Sequence, residues 1–163
     1  MVFSSAGGRT PGRHRMSLQS HSVTTKITSR CDPRLAWWIT IVYGPLDANA
    51  QQAFLNELAA LCSSLLGPWL ICGDFNMIYR AQDKNNGRLD RRCMRRFRAF
   101  LNRVNLEELN LVGRRFTWSS ERERPTLELL DRMFASMDWF AAFPNHMLKP
   151  LSSDCLDHCP LLL

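Results

Sequence analysis

The chain has 163 residues, 45% of them apolar, enough for one domain with a sizeable core and too few for two ordinary ones. Its formal charge is +6, from 21 Lys and Arg against 15 Asp and Glu; Lys26, Lys84 and Lys149 are its only lysines, so the basic side is almost all arginine, which suits phosphate and nucleic acid and serves equally for solubility. No apolar run approaches the length that spans a bilayer, and the six cysteines, with no C-x-x-C pair and spread among apolar positions, read as small buried hydrophobes rather than a disulfide framework.

Residues 1–20 carry Gly7-Gly8, Pro11-Gly12 and scattered Arg and His, with too little apolar content to fold alone, and read as a disordered or unrelated lead-in to a domain over 21–163. Ser22 to Thr28 alternates at period two, and after Cys31-Asp32-Pro33 the β-prone run 37–43 follows, so a hairpin is expected. Gly44-Pro45 stops its second strand and leaves Tyr43 at the rim. Beyond Asp47, a candidate N-cap, Phe54, Leu58, Leu61 and Leu65 recur at helical spacing until Gly67 and Pro68. A buried strand, Trp69-Leu70-Ile71-Cys72, comes next, so strand, helix and strand predict a βαβ crossover in one sheet. Gly73-Asp74-Phe75-Asn76 closes it, and two-residue spacing lets a carboxylate and an amide project together from the end of a core strand.

A polar loop, 80–87, precedes an amphipathic helix in which Cys93, Phe97, Phe100, Leu101 and Val104 make one face and Arg91, Arg92, Arg95 and Arg96 much of the other. That basic face is either a solvated surface or a nucleic-acid contact. Residues 115–120 and 127–134 predict a second hairpin around 121–125. Asp131 interrupts its apolar run, and a carboxylate there needs a cation, a histidine or backbone donors. A short helix around Trp139, extended 147–151, and a last apolar strand entered at Asp157-His158 complete the order.

Tyr43, Asp74, Asn76, Asp131, Asp157 and His158 thus stand at strand ends or in buried surroundings. Phosphodiester hydrolysis needs such groups: carboxylates for a hard divalent ion, a base for water, and donors for charge building on phosphate. A zinc site from Cys155, His158 and Cys159 is a poorer reading, because no fourth ligand lies nearby.

Val42-Tyr43-Gly44-Pro45, Gly73-Asp74-Phe75-Asn76, Phe116-Thr117-Trp118-Ser119, Leu130-Asp131-Arg132-Met133-Phe134 and Asp157-His158-Cys159-Pro160 occur in the order and near the separations of the endonuclease/exonuclease/phosphatase superfamily. Over roughly 22–163 the chain most resembles the endonuclease domain of plant LINE-type (non-LTR) retrotransposon polyproteins. The resemblance implies a four-layer α/β sandwich of two mixed sheets that cuts DNA with Mg2+ (or Mn2+), without a small-molecule cofactor or a membrane, and a retroelement protein of this kind is expected to act on nuclear DNA. It further implies that Asp74 orients or deprotonates water, Asn76 bonds the phosphate, Tyr43 supports phosphate or nucleophile, and Asp157 sits at the metal or its shell. His158 would contact the phosphate and take its orientation from Asp131, and Trp118 would lie beside the DNA groove. Family members begin with an asparagine strand and a strand bearing the metal-binding glutamate; no acid precedes Asp32 here, and the usual Ser-Asp-His is Leu156-Asp157-His158. The expectation is therefore a partial nuclease domain, weakly active or inactive alone, with a non-catalytic nucleic-acid-binding remnant using 80–103 as its rival.

Overall fold

The computed structural model describes residues 16–30, 32, 35–120, 122–152 and 157–163. Its centre is a six-stranded mixed sheet. Strand β1 (Met16–Leu18) pairs antiparallel with β2 (Ser22–Thr28), and β2 with β3 (Ala36–Tyr43). The end of the stretch read as lead-in is thus an edge strand, with Leu18 opposite Val23.

Helix α1 (Ala48–Ser64) starts where Asp47 accepts the amides of Asn49 and Ala50 at 3.0 and 2.9 Å, satisfying two of the donors that a helix leaves orphaned at its start. It buries Phe54, Leu55, Leu58 and Leu61, each worth about 1.5–3 kcal/mol as an upper estimate, and returns the chain to β4 (Trp69–Asp74), parallel to β3 as the crossover predicts. Helix α2 (Arg91–Val104) is capped by Asp90 and lies on the same face through Phe97, Phe100 and Leu101.

The second hairpin differs from its sequence-based expectation. Strands β6 (Trp118–Ser119) and β7 (Leu127–Glu128) do pair, but the rest of the second arm separates as β8 (Asp131–Ala135) and enters the main sheet between β4 and β5 (Glu107–Glu108). The cause is burial on both sides. Met133 and Ala135 pack into one core and Phe134 into the other, and such a strand belongs in a sheet centre rather than in a solvated ribbon.

The sheet order β1-β2-β3-β4-β8-β5 has α1 and α2 on the face of Val42, Ile71 and Phe134. On the other face, Ile39, Leu70, Cys72 and Met133 meet Trp139 of α3 (Met137–Ala142) and Leu161 of β10 (Leu161–Leu162), which pairs with β9 (Lys149–Pro150). The α/β sandwich is present as expected. Beside the six-stranded mixed sheet, the described residues hold two short antiparallel pairs, β6–β7 and β9–β10. Among those residues no helix is long and apolar enough to cross a membrane. Cys62, Cys72, Cys93 and Cys159 are free and buried or half-buried, and burial pushes the Cys72 thiol up to about 12.

Candidate active site

Tyr43, Asp74 and Asp131 stand level on three neighbouring strands, because β3 and β4 register Tyr43 against Asp74, and β4 and β8 register Asp74 against Asp131. Alternation along the strands puts all three on the face away from α1 and α2, in line with Ile39, Cys72 and Met133. Two glycines let the strands close up here. A Cβ on Gly44 would lie 2.1 Å from the Phe75 carbonyl oxygen, and Gly73 has φ +141°, with the Val42 carbonyl oxygen 2.1 Å from any Cβ.

Asp74 is only 8% exposed. Its Oδ1 accepts the Asn76 amide at 2.8 Å, and Asn76, in the left-handed region at φ +50°, donates Nδ2 to the Gly44 carbonyl at 2.8 Å. Asn76 therefore clasps the ends of β3 and β4 together. Burial raises the Asp74 carboxyl above the usual carboxylate range, helped by the charge of Asp131 and opposed by the Asn76 amide and by His158.

His158 Nδ1 lies 2.8 Å from Asp131 Oδ2, and since a carboxylate can only accept, Nδ1 carries the proton. Nε2 is left facing Asp74 Oδ2 at 3.9 Å. Burial pulls the His158 pKa down, but the bond to Asp131 and the charges of Asp131, Asp74 and Asp157 outweigh it, and the net shift is upward.

Two further contacts hold this histidine. Its segment bridges to β6, with Cys159 N–H donating to the Thr117 carbonyl at 2.7 Å and Ser119 N–H to the Asp157 carbonyl at 3.0 Å. Thr117, fully buried, turns its Oγ1 to accept the amides of Leu130 and Asp131 at 3.0 and 2.9 Å. Thr117 thus ties together the segments bearing Trp118, Asp131 and His158, its hydroxyl holding the start of β8 and its carbonyl holding Cys159. Sequence reading singled out the Phe116-Thr117-Trp118-Ser119 word without giving the threonine a role.

The structure brings Asp74, Asn76, Asp131 and His158 together and places Trp118 and Asp157 beside them, with Trp118 Nε1 donating to Asp157 Oδ2 at 3.2 Å. Tyr43 is in register but 69% exposed. Arg91, Arg92 and Arg95 are exposed on α2, while Arg96 is half-buried and reaches the Ala48 carbonyl at 3.2 Å. The helix lies across the sheet from Asp74, and Met94, packed with Trp118 against Ile78 and Leu130, links its first turn to the site's rim. A second charged cluster escaped sequence reading. Arg132, 1% exposed, pairs with Asp83 and Glu108, and Tyr79 Oη donates to Glu108 at 2.7 Å. The argument applied to Asp131, that a charge within an apolar run needs a partner, holds for the next residue too.

The described residues form no all-protein cage for a divalent ion, although Asp74 and Asp131 are carboxylates of the kind that hold Mg2+ together with water and phosphate oxygens. Among the described residues no three His, Cys, Asp or Glu side chains converge on one point, and the Asp157 carboxylate is held by Trp118. Nor is zinc favoured: His158 Nδ1 is engaged by Asp131, Cys159 Sγ is buried against the Leu151 carbonyl at 3.5 Å, and Cys155 lies outside the described residues.

The sequence pattern of the Endonuclease/Exonuclease/phosphatase family matches residues 8–154. No curated protein matches the chain by sequence. Among solved structures, the endonuclease domain of TRAS1, a telomere-specific non-LTR retrotransposon, superposes with a TM-score of 0.66 at 16% identity over 86% of this chain and 61% of its own. The Neisseria 3′ phosphatase NExo bound to product DNA hairpin gives 0.61 at 14% identity, over 89% and 64%. Beta toxin from Staphylococcus aureus with bound magnesium ions gives 0.54 at 15%, over 86% and 56%. The chain spans less than two thirds of each.

Proposed function

We propose, on the premise that the chain belongs to the Endonuclease/Exonuclease/phosphatase family, that its sheet end carries part of a phosphodiester-hydrolysing site for DNA, of the retrotransposon endonuclease type, and that this chain alone is weakly active or inactive. The observation that carries the reading is the line from Asp131 through His158 to Asp74. Asp131 fixes the imidazole so that Nε2 points at Asp74 across 3.9 Å, too long for a hydrogen bond and wide enough for the edge of a phosphate or water to approach both. His158 would hold a phosphate oxygen, and Asp74, with Oδ1 steadied by Asn76, would take the proton of the attacking water. A positioned base contributes about 10²–10⁴-fold. Tyr43 and Trp118, at the rim, would border the bound strand.

A Mg2+ or Mn2+ ion would be held by carboxylates such as Asp74 and Asp131 with water and phosphate oxygens completing its shell, and would supply charge stabilisation on the phosphate; no step is assigned to it. Purified chain incubated with supercoiled plasmid and Mg2+ should nick no faster than its Asp74→Ala variant. Nicking that depends on both Mg2+ and Asp74 would show the chain to be a competent nuclease and sink the expectation of weak activity.

The exposed arginines of α2 favour a second reading, a non-catalytic nucleic-acid-binding remnant. Salt-dependent DNA binding without cleavage, lost on charge reversal at Arg91, Arg92, Arg95 and Arg96, would support it.

A further inference from the structure

Beside β8, where β5 has already ended, the chain from Leu109 to Arg115 walls a cavity of about 200 Å3 that also touches Asp131. That is room for a phosphate group and a few waters, each water taking about 30 Å3. The carboxylates around it are occupied. Asp83 pairs with Arg132 and accepts the amides of Tyr79 and Arg80, Glu108 takes Arg132, Arg80 and the Tyr79 hydroxyl, and Asp131 takes His158.

The cations are not all spent. Arg80 and Arg132 are balanced by Asp83 and Glu108, which leaves Arg114 and Arg115 in surplus at the mouth. A guanidinium has five N–H donors. Arg114 commits Nε to the Phe116 carbonyl, and Arg115 commits Nε and Nη2 to the Gln82 carbonyl, so each has donors left over.

We infer that this cavity seats a non-scissile phosphate of the strand bound at Asp74 and His158, gripped by Arg114 and Arg115. The inference rests on the nucleic-acid reading above. The cavity shares Asp131 with the site, so a strand whose reacting phosphate lies against His158 crosses its mouth on the way out. Bidentate guanidinium contacts are the chemistry that holds phosphate in register without reading sequence. No arginine of α2 lines this cavity.

Binding of a fluorescent duplex oligonucleotide by the whole chain, measured across a range of salt, tests it. Arg114→Gln/Arg115→Gln should weaken binding about tenfold and flatten the slope of log affinity against log salt by about 1–2, with an unchanged melting temperature. Arg122→Gln/Arg124→Gln, an equal loss of charge on the exposed β6–β7 turn, should change affinity less than twofold. Equal losses in both pairs, or none at Arg114 and Arg115, overturn the inference while leaving the nucleic-acid reading intact. A native chain that binds no duplex at any salt concentration removes both. Titration with inorganic phosphate separates the sources: displacement of the duplex only at tens of millimolar is expected, and phosphate alone binding as tightly as the duplex would make this a free-anion site instead.

Discussion

Asp74 and Asp131 face each other as a registered pair across the β4–β8 ladder, and His158 lies against both carboxylates. Two carboxylates at one level of a sheet repel, and the imidazole between them is what makes the arrangement tolerable. Asp74 and His158 therefore titrate in the field of this cluster, and the first predictions come from that coupling.

His158 should titrate above its ordinary value of 6.5. Burial works against that shift, and Asp131 is the largest contributor in its favour, so Asp131→Asn should bring the pKa down. A raised folded-state pKa means that the charged imidazole stabilises the fold fully below about 6.5 and loses that contribution as pH rises through the folded value. Histidine proton shifts followed by NMR across pH 5–9, in both proteins, provide the check; an unchanged value in the variant refutes the pairing.

At Asp74 the sign runs the same way for a different reason. Its raised pKa means that folding favours the neutral carboxyl, so the ionised form strains the native state at neutral pH. Asp74→Asn should raise the melting temperature at pH 7 by about 2–4 °C, the scale of 1 kcal/mol in a domain of this size. The gain should vanish below the ordinary carboxylate value of 3.8, where Asp74 is neutral in folded and unfolded chain alike. A variant less stable than native at pH 7 would show that the charge is supported rather than strained.

Thr117→Val keeps the shape and removes the acceptor for two amides. It should cost about 2–4 kcal/mol in urea unfolding, since each buried donor left unpaired costs about 1–3 kcal/mol. Thr117→Ser should recover most of that loss and restore the His158 titration as well. Recovery of stability without recovery of the titration would mean that the hydroxyl does not position the pair.

Arg132→Met should destabilise by about 3–5 kcal/mol, because it strands Asp83 and Glu108 without their cation. Arg132→Lys should rescue little, a single ammonium being unable to span two carboxylates as a planar fork does. Chemical denaturation of both variants measures it.

The hairpin of β2 and β3, the α1 crossover, α2 and the strand at Trp69 were legible because each is local: a period, a cap or a breaker inside one window of sequence. Asp74, Asn76 and Asp131 were visible as polar groups placed where apolar ones belong. The division of 127–134 between β7 and β8 was not, since it depends on which remote strand has an open edge. Thr117 and Arg132 escaped for a related reason. A threonine in a β-prone word and an arginine after an aspartate look ordinary until the segments they join are known.

The sheet order also carries a consequence for how the chain comes to be folded. The helix-side core is built from residues between Val42 and Leu106, with Phe134 as its one later member, so β3, α1, β4 and α2 can bury one another while the remainder is still emerging from the ribosome. Asp74 is in place at that stage without Asp131 and His158, which arrive from far along the chain and close large loops, the slow class of event in folding. Synthesis in chain order thus gives a hydrophobic interior before it gives an Asp131–His158–Asp74 line, and the segment bearing His158, made after the other two residues, is the one that completes it.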